Sequence, residues 1–124
     1  MSDDLYREEI LEHYKHPHNF GELSKATVTV REANASCGDL IELQLLVRSG
    51  TIVKAKFKGI GCALSLATAS ILTDDIQGKT IEAALRFDEQ QVIALLGTEV
   101  SPMRRKCVLL PLRALNKALE EISK

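Results

Sequence analysis

Very little in this sequence suits nucleic acid or a membrane. Tryptophan is absent and aromatic residues make up only 4% of the 124 residues, so few side chains could stack on bases. The 16 basic and 17 acidic residues nearly cancel to a net charge of -1, which removes the usual attraction for a phosphate backbone. No apolar run reaches the roughly 18 residues that a spanning helix requires, and no signal-like segment opens the chain. We therefore expect a cytoplasmic protein that binds neither nucleic acid nor a membrane.

Cysteine is also scarce, with three in the whole chain. In a reducing compartment an odd number of cysteines suggests metal binding or thiol chemistry before disulfides. The three are Cys37 in "NASCGDL", Cys62 in "GIGCALS" and Cys107 in "RRKCVLL", and Asp39 follows the first of them by two residues. The remaining composition, 45% hydrophobic and 27% charged, is typical of one globular domain, which we expect to span residues 1–124.

The periodicity of the apolar residues predicts one helix, three strands and then more helices. A first amphipathic helix is expected to end before Pro17. Three antiparallel strands are expected next, with Val53, Ala55 and Phe57 on the buried face of the third. Helices are predicted in the segments "ALSLATASILTDDI", "TIEAALRF" and "DEQQVIALLG". Gly78 is expected to end the first of these helices, and Thr80 and Asp88 are expected to cap the second and the third.

A closing helix is predicted to begin at or after Cys107, because Pro111 is tolerated only near the start of a helix. Cys62 likewise lies where the second helix should start, and a helix N-terminus favours a thiolate. The basic residues Arg104, Arg105 and Lys106 should favour a thiolate at Cys107, although such a charge run is as often a solvated face.

Pairing the apolar faces of the second and third strands brings two of the thiols together. If Leu43 lies opposite Ala55 or Phe57, the residue numbers of each cross-strand pair sum to 98 or 100. Continued to the end of the strands, this register places Cys37 within about one residue of Cys62. Opposite Cβ atoms in such a ladder are about 5 Å apart. The two thiols could therefore share a metal, and Asp39 could point the same way if its segment is extended.

Each of these residues also has a simpler interpretation. A free cysteine is often a small buried hydrophobe, and a lone aspartate such as Asp39 is often a turn or cap residue. Gly59 and Gly61 could adopt positive φ and let the backbone approach an inorganic group, or they could simply mark a turn.

The three histidines could indicate a second metal site. However, His13, His16 and His18 contain no i, i+4 pair of the kind that a helix uses for zinc. We therefore interpret them as helix-end residues favoured by the helix dipole.

The motifs "NASCGD", "GIGCALSLATASILT" and "RRKC", together with "LYREEILEHYKHPHNFG", resemble the IscU/SufU/NifU-N-terminal iron-sulfur cluster assembly proteins. The resemblance implies an α+β fold, with a three-stranded antiparallel sheet and helices packed on one face. It also implies a metal or cluster site at four residues, Cys37, Asp39, Cys62 and Cys107. The implied partners are an IscS/SufS-like cysteine desulfurase, which donates sulfur, and apo iron-sulfur acceptor proteins.

Two departures bear on the place of the chain within that family. Lys106 stands where IscU-type scaffolds usually have histidine, and "VSPMR" replaces their chaperone-recognition motif, so we do not expect an Hsp70-type chaperone as a partner. Lys106 and the amino-terminal "LYR" resemble SufU-like proteins. The compact stretch from Cys62 to Cys107, in contrast, lacks the insertion of SufU-like proteins.

Three hypotheses follow. In the favoured one, the protein is a scaffold that builds a [2Fe-2S] cluster from iron and sulfur on the three cysteines, with Asp39 completing or exchanging at the fourth position, and transfers it. The alternative is a SufU-like zinc-dependent sulfurtransferase and desulfurase activator, an enzyme with Zn²⁺ at the same four residues. In both, Cys107 is the expected sulfur acceptor, and Zn²⁺ is expected in protein isolated in air. The third is a zinc-stabilised domain without sulfur chemistry.

Asp39 has its own expected role. An oxygen ligand binds these metals less tightly than a fourth thiolate would, so Asp39 should make the site labile. We place it at a sheet-edge turn, where replacement by alanine would leave the fold intact.

Overall fold

The computed structural model describes residues 3–35 and 38–123, with side chains from residue 8 onward. These residues form one helix, a three-stranded sheet and four further helices, as the sequence predicted. In chain order the elements are α1 Asp3–Lys15, β1 Val28–Asn34, β2 Asp39–Arg48, β3 Thr51–Ile60, α2 Ala63–Ile76, α3 Ile81–Leu85, α4 Glu89–Leu96 and α5 Pro102–Ser123.

The sheet is antiparallel, with the strands in the order β1-β2-β3. Leu43 pairs with Phe57 in the central pair of strands, so the predicted register with partner numbers summing to 100 is confirmed. The register shifts between Leu46 and Val47. An irregularity of this kind reverses which residues face the core: Ile52 is fully buried and Val53 is 41% exposed. The prediction that Val53 belongs to the buried face is therefore wrong.

The described helices cover one face of the sheet. Along β2 the buried residues alternate, beginning at Asp39 and continuing through Ile41, Leu43 and Leu45, as expected for a strand with one core face. Helix α5 packs on β1 and β2, α2 packs on β3, and α1 packs on α2. The α+β fold with helices on one face is thus confirmed.

The predicted ends of the middle helices are confirmed. Cys62 is the N-cap of α2, where its sulfur accepts the N–H of Ser65 at 3.4 Å. Thr80 and Asp88 cap α3 and α4, and Gly78 adopts a left-handed φ of 90° just after α2.

The predicted start of the closing helix is wrong. Helix α5 begins at Pro102, and both Cys107 and Pro111 lie inside it. A proline has no N–H to donate to the carbonyl four residues earlier, which here is that of Cys107. The hydroxyl of Ser65 lies 3.1 Å from that carbonyl oxygen, so a side chain of α2 is within hydrogen-bond distance of the carbonyl to which Pro111 cannot donate.

The segment after α1 is fixed against α2 and β3. Asn19 has a φ of 63°, a conformation that asparagine tolerates better than most residues. Its side chain donates to Thr73 at 3.0 Å and to Asp74 at 2.8 Å, and its carbonyl accepts from Phe57. None of the helices among the described residues has the length and apolar character needed to cross a membrane.

Candidate metal centre

Three of the four predicted site residues come from three different elements and meet in space. Asp39 is the first residue of the central strand β2, Cys62 caps α2, and Cys107 is the sixth residue of α5. One ligand atom from each lies within 4.8 Å of the others. Cys37, the fourth predicted ligand, lies outside the described residues.

Asp39 is buried, with 2% of its surface exposed. Its carboxylate accepts the N–H of Cys62 at 3.1 Å and the hydroxyl of Ser65 at 2.6 Å. The expectation of a sheet-edge turn residue is therefore wrong: Asp39 begins the central strand and points inward with its core residues. Its removal would cost two hydrogen bonds at a buried position, so alanine there cannot be neutral for the fold.

Gly61 lies directly against this carboxylate. A Cβ built there would lie 2.6 Å from Asp39 Oδ1 and 2.8 Å from Cγ, well inside van der Waals contact. Neither Gly59 nor Gly61 has a positive φ, so of the two interpretations left open for them, the left-handed backbone does not apply. The glycine at 61 instead leaves room for the Asp39 side chain.

Ser65 belongs to the site, and the sequence analysis missed it. Its hydroxyl is fully buried and lies 2.6 Å from Asp39 Oδ2, 3.1 Å from the Cys107 carbonyl and 3.6 Å from Cys62 Sγ. A hydroxyl has one proton to donate, and the shorter contact favours the carboxylate. The only signal in the sequence was a small polar residue three positions after a cysteine cap, which also fits an ordinary helix start.

The donor set fits zinc or an iron-sulfur cluster. Ligand bonds of about 2.3 Å to sulfur and about 2.1 Å to oxygen place two tetrahedral zinc ligands about 3.6 Å apart. The distance from Cys62 Sγ to Asp39 Oδ2 is 3.8 Å. Two thiols and a carboxylate can thus surround one ion with small movements, and thiolate donors also suit iron in clusters.

The surroundings of the site are basic on one side and open on another. Arg104, Arg105 and Lys106 are exposed and take no part in the salt bridges found among the described residues. Cys62 is half-buried, whereas Cys107 is 8% exposed. A groove of about 540 Å³ beside the start of α2 is lined by Leu11, Ala63, Leu64 and Arg104, among others.

The structure also groups two histidines that were interpreted as helix-end residues. His13 does lie in the last turn of α1, as expected, but a ligand atom of its ring is within 4.8 Å of ligand atoms of His18 and Asp74. Burial, and then the neighbouring His18, lower the pKa of His13. No i, i+4 spacing links these residues, so only the packing of α1 on α2 reveals the group.

Comparisons with known proteins show the family to which the chain is related. The profile of the NifU-like N-terminal domain family matches residues 5–124. The chain is 37% identical to the zinc-dependent sulfurtransferase SufU of Bacillus subtilis, covering 94% of this chain and 90% of that protein. It is 36% identical to the iron-sulfur cluster assembly enzyme IscU of Drosophila melanogaster, covering 94% and 77%.

A solved structure supports the same relationship. A protein from Fervidobacterium islandicum AW-1, assigned as an iron-sulfur cluster assembly scaffold for the SUF system, matches with a TM-score of 0.80 at 33% identity, over 96% of this chain and 99% of that one. The alignment with SufU extends over 134 positions. Since 94% of 124 residues is about 117, some 17 of those positions have no counterpart here.

Proposed function

Because the chain belongs to the NifU-like N-terminal domain family, we propose that it is a scaffold that builds a [2Fe-2S] cluster and transfers it to acceptor proteins. The observation that carries the proposal is the convergence of a buried carboxylate with two thiols. A site that only retained metal would be tighter with another thiolate. Cys37, Cys62 and Cys107 would supply thiolates, and Asp39 would supply the exchangeable fourth ligand.

Sulfur would arrive from a cysteine desulfurase as a persulfide. The Cys107 thiolate would attack the outer sulfur, the S–S bond would break, and the desulfurase cysteine would leave as a thiolate. The exposed basic run before Cys107 supports this role, since positive charge favours an attacking thiolate. Reduction of that sulfur to sulfide would take two electrons from an external reductant.

A zinc-dependent sulfurtransferase is the second candidate. It is favoured by Lys106, by the amino-terminal "LYR" segment and by the likeness to SufU. Zn²⁺ would be held by Asp39, Cys62, Cys107 and Cys37, and when bound it would keep the thiols deprotonated.

The remaining parts of the proposal follow from the family and the composition. We propose that residues 1–124 form a single domain that acts in the cytoplasm. The partners would be a cysteine desulfurase and apo iron-sulfur proteins, without an Hsp70-type chaperone, nucleic acid or a membrane.

The test is analysis of iron, zinc and acid-labile sulfide after anaerobic incubation with a cysteine desulfurase, cysteine, Fe²⁺ and a thiol reductant. A scaffold should gain equal amounts of iron and acid-labile sulfide, and the Cys62→Ser variant should gain far less. Protein purified in air should contain zinc. Retained zinc without acid-labile sulfide, together with persulfide in a parallel incubation that omits iron and the reductant, would identify the sulfurtransferase. No metal with unreactive thiols would refute both candidates.

A further inference from the structure

A second group of metal-binding side chains lies away from the cysteines. His13 is in the last turn of α1, His18 is in the segment after α1, and Asp74 is in the last turn of α2. Their ligand atoms lie within 4.8 Å of one another, and the two imidazole rings are 4.5 Å apart between centroids. Asp74 follows Cys62 by twelve residues, about 18 Å along a helix, so the two groups cannot share an ion.

A second layer of hydrogen bonds holds these side chains in place. The Ser70 hydroxyl, fully buried, lies 2.7 Å from His13 Nδ1 and accepts the backbone N–H of His18 at 2.8 Å. Asn19 donates to Asp74 Oδ1 at 2.8 Å and is itself held by Gln77. Outer partners of this kind orient the ligands of protein metal sites.

The charge around the group is suited to a cation. A cavity of about 300 Å³ is lined by His13 with three carboxylates, those of Glu9, Asp74 and Asp75. Lys79 pairs with Asp75 at 2.8 Å, which leaves a net negative charge beside the imidazoles. His18 Nδ1 and Asp74 Oδ2 are 2.6 Å apart, which is hydrogen-bond distance, and a metal ion bound by both atoms would replace that contact.

We propose that His13, His18 and Asp74 form a second metal site, which binds one divalent first-row transition ion such as Zn²⁺, Co²⁺ or Ni²⁺. Two imidazole nitrogens and one carboxylate oxygen suit these ions, and water would complete the coordination. The bound ion would tie α1 and the segment after it to α2. Because no cysteine takes part, this site does not depend on the proposed scaffold function.

The test is a titration of the full-length, reduced, metal-free protein with Co²⁺ under anaerobic conditions. Co²⁺ at the cysteine site gives an intense sulfur-to-cobalt charge-transfer band, whereas an ion held by imidazole and carboxylate gives none. We expect a further equivalent of Co²⁺ to bind without adding to the intensity of this band. Its binding should shift the NMR resonances of the ring protons of His13 and His18. Failure of the cysteine site would appear separately, as absence of the band.

Matched variants distinguish the site from surface binding. His18→Ala and Asp74→Asn should each lower the affinity for the second equivalent of Co²⁺ about tenfold or more. His16→Ala should leave it unchanged, because His16 is exposed and outside the group. Circular dichroism would verify that each variant is folded. The proposal is overturned if no second equivalent appears, if it survives both substitutions, or if His16→Ala removes it equally.

Discussion

The hydroxyl of Ser65 has one proton and two buried oxygen acceptors within reach, the Asp39 carboxylate and the Cys107 carbonyl. While Asp39 points toward Ser65, the carboxylate accepts the hydrogen bond from this hydroxyl. When Asp39 turns toward an ion, the hydroxyl can donate instead to the Cys107 carbonyl 3.1 Å away, to which Pro111 has no N–H to donate. Ser65 is therefore a positioning residue that lowers the cost of moving Asp39.

The Ser65→Ala variant should bind Zn²⁺ at the cysteine site about tenfold more weakly, since loss of an outer hydrogen bond typically has that effect. The affinity can be measured by competition with a chromophoric chelator. Ser70→Ala is the matched control, because Ser70 is equally buried in the same helix but lies by the histidines. Equal affinities for the wild type and Ser65→Ala would mean that Ser65 only fills space.

Cys107 is more buried than Cys62, yet it is the proposed sulfur acceptor. In the metal-free protein alone, an alkylating reagent should therefore modify Cys62 before Cys107. With a cysteine desulfurase, mass spectrometry should locate the persulfide on Cys107, and Cys107→Ser should lose it. Persulfide found only on Cys37 or Cys62 during turnover would show that the roles are assigned wrongly.

At the scale of elements, the turn between β3 and α2 controls the position of the carboxylate. Gly61→Ala would push a methyl group against Asp39 and break its hydrogen bonds to Cys62 and Ser65. We expect this substitution to lower the free energy of unfolding of the wild type. The loss should be at least about 1 kcal/mol smaller in an Asp39→Ala background, where the two shortest contacts are removed and only the 3.1 Å contact with Cβ remains.

Denaturant unfolding of four proteins measures that coupling: the wild type, Gly61→Ala, Asp39→Ala and the double variant. Additive effects would mean that the turn and the carboxylate are independent. Coupling would instead show that Gly61 is required for the position of Asp39, not for the conformation of its own backbone.

The elements themselves were largely predictable from the sequence. Alternating apolar residues set the register of Leu43 against Phe57, and local capping chemistry set the starts of α3 and α4. Asp39 lies two residues before Ile41, and residues two apart on a strand point to the same face of the sheet. This spacing could also have revealed that Asp39 points inward. This signal was missed because an aspartate beside a glycine resembles a turn residue.

Other features depend on contacts between distant parts of the chain. The hydroxyl of Ser65, 42 positions from Cys107 in sequence, lies at hydrogen-bond distance from the carbonyl to which Pro111 has no N–H to donate, and no local rule could predict this contact. The grouping of His13 with His18 and Asp74 likewise requires α1 to pack on α2. The exposure of Val53 follows from a register shift in the strand pair, and the local alternation of residues does not show it.

At the scale of the whole molecule, the site is a junction of three elements. The central strand contributes Asp39, α2 contributes Cys62, and α5 contributes Cys107. A ligand set drawn from separate elements can change its geometry by small movements of one element, and an oxygen donor weakens one corner of the set. These properties suit a protein that must release what it assembles.

The direct test of this account is cluster transfer from the Asp39→Ala variant to an apo-ferredoxin, followed anaerobically by visible absorbance. Asp39→Ala loses two hydrogen bonds at a buried position, so a loss of about 1–3 kcal/mol in the free energy of unfolding is expected. Asp39→Asn, which keeps the volume, serves as the second variant, and both are compared with the wild type at temperatures where all three are folded. The account predicts a longer-lived cluster and slower transfer in both variants, whereas lifetimes and transfer rates equal to those of the wild type would contradict it.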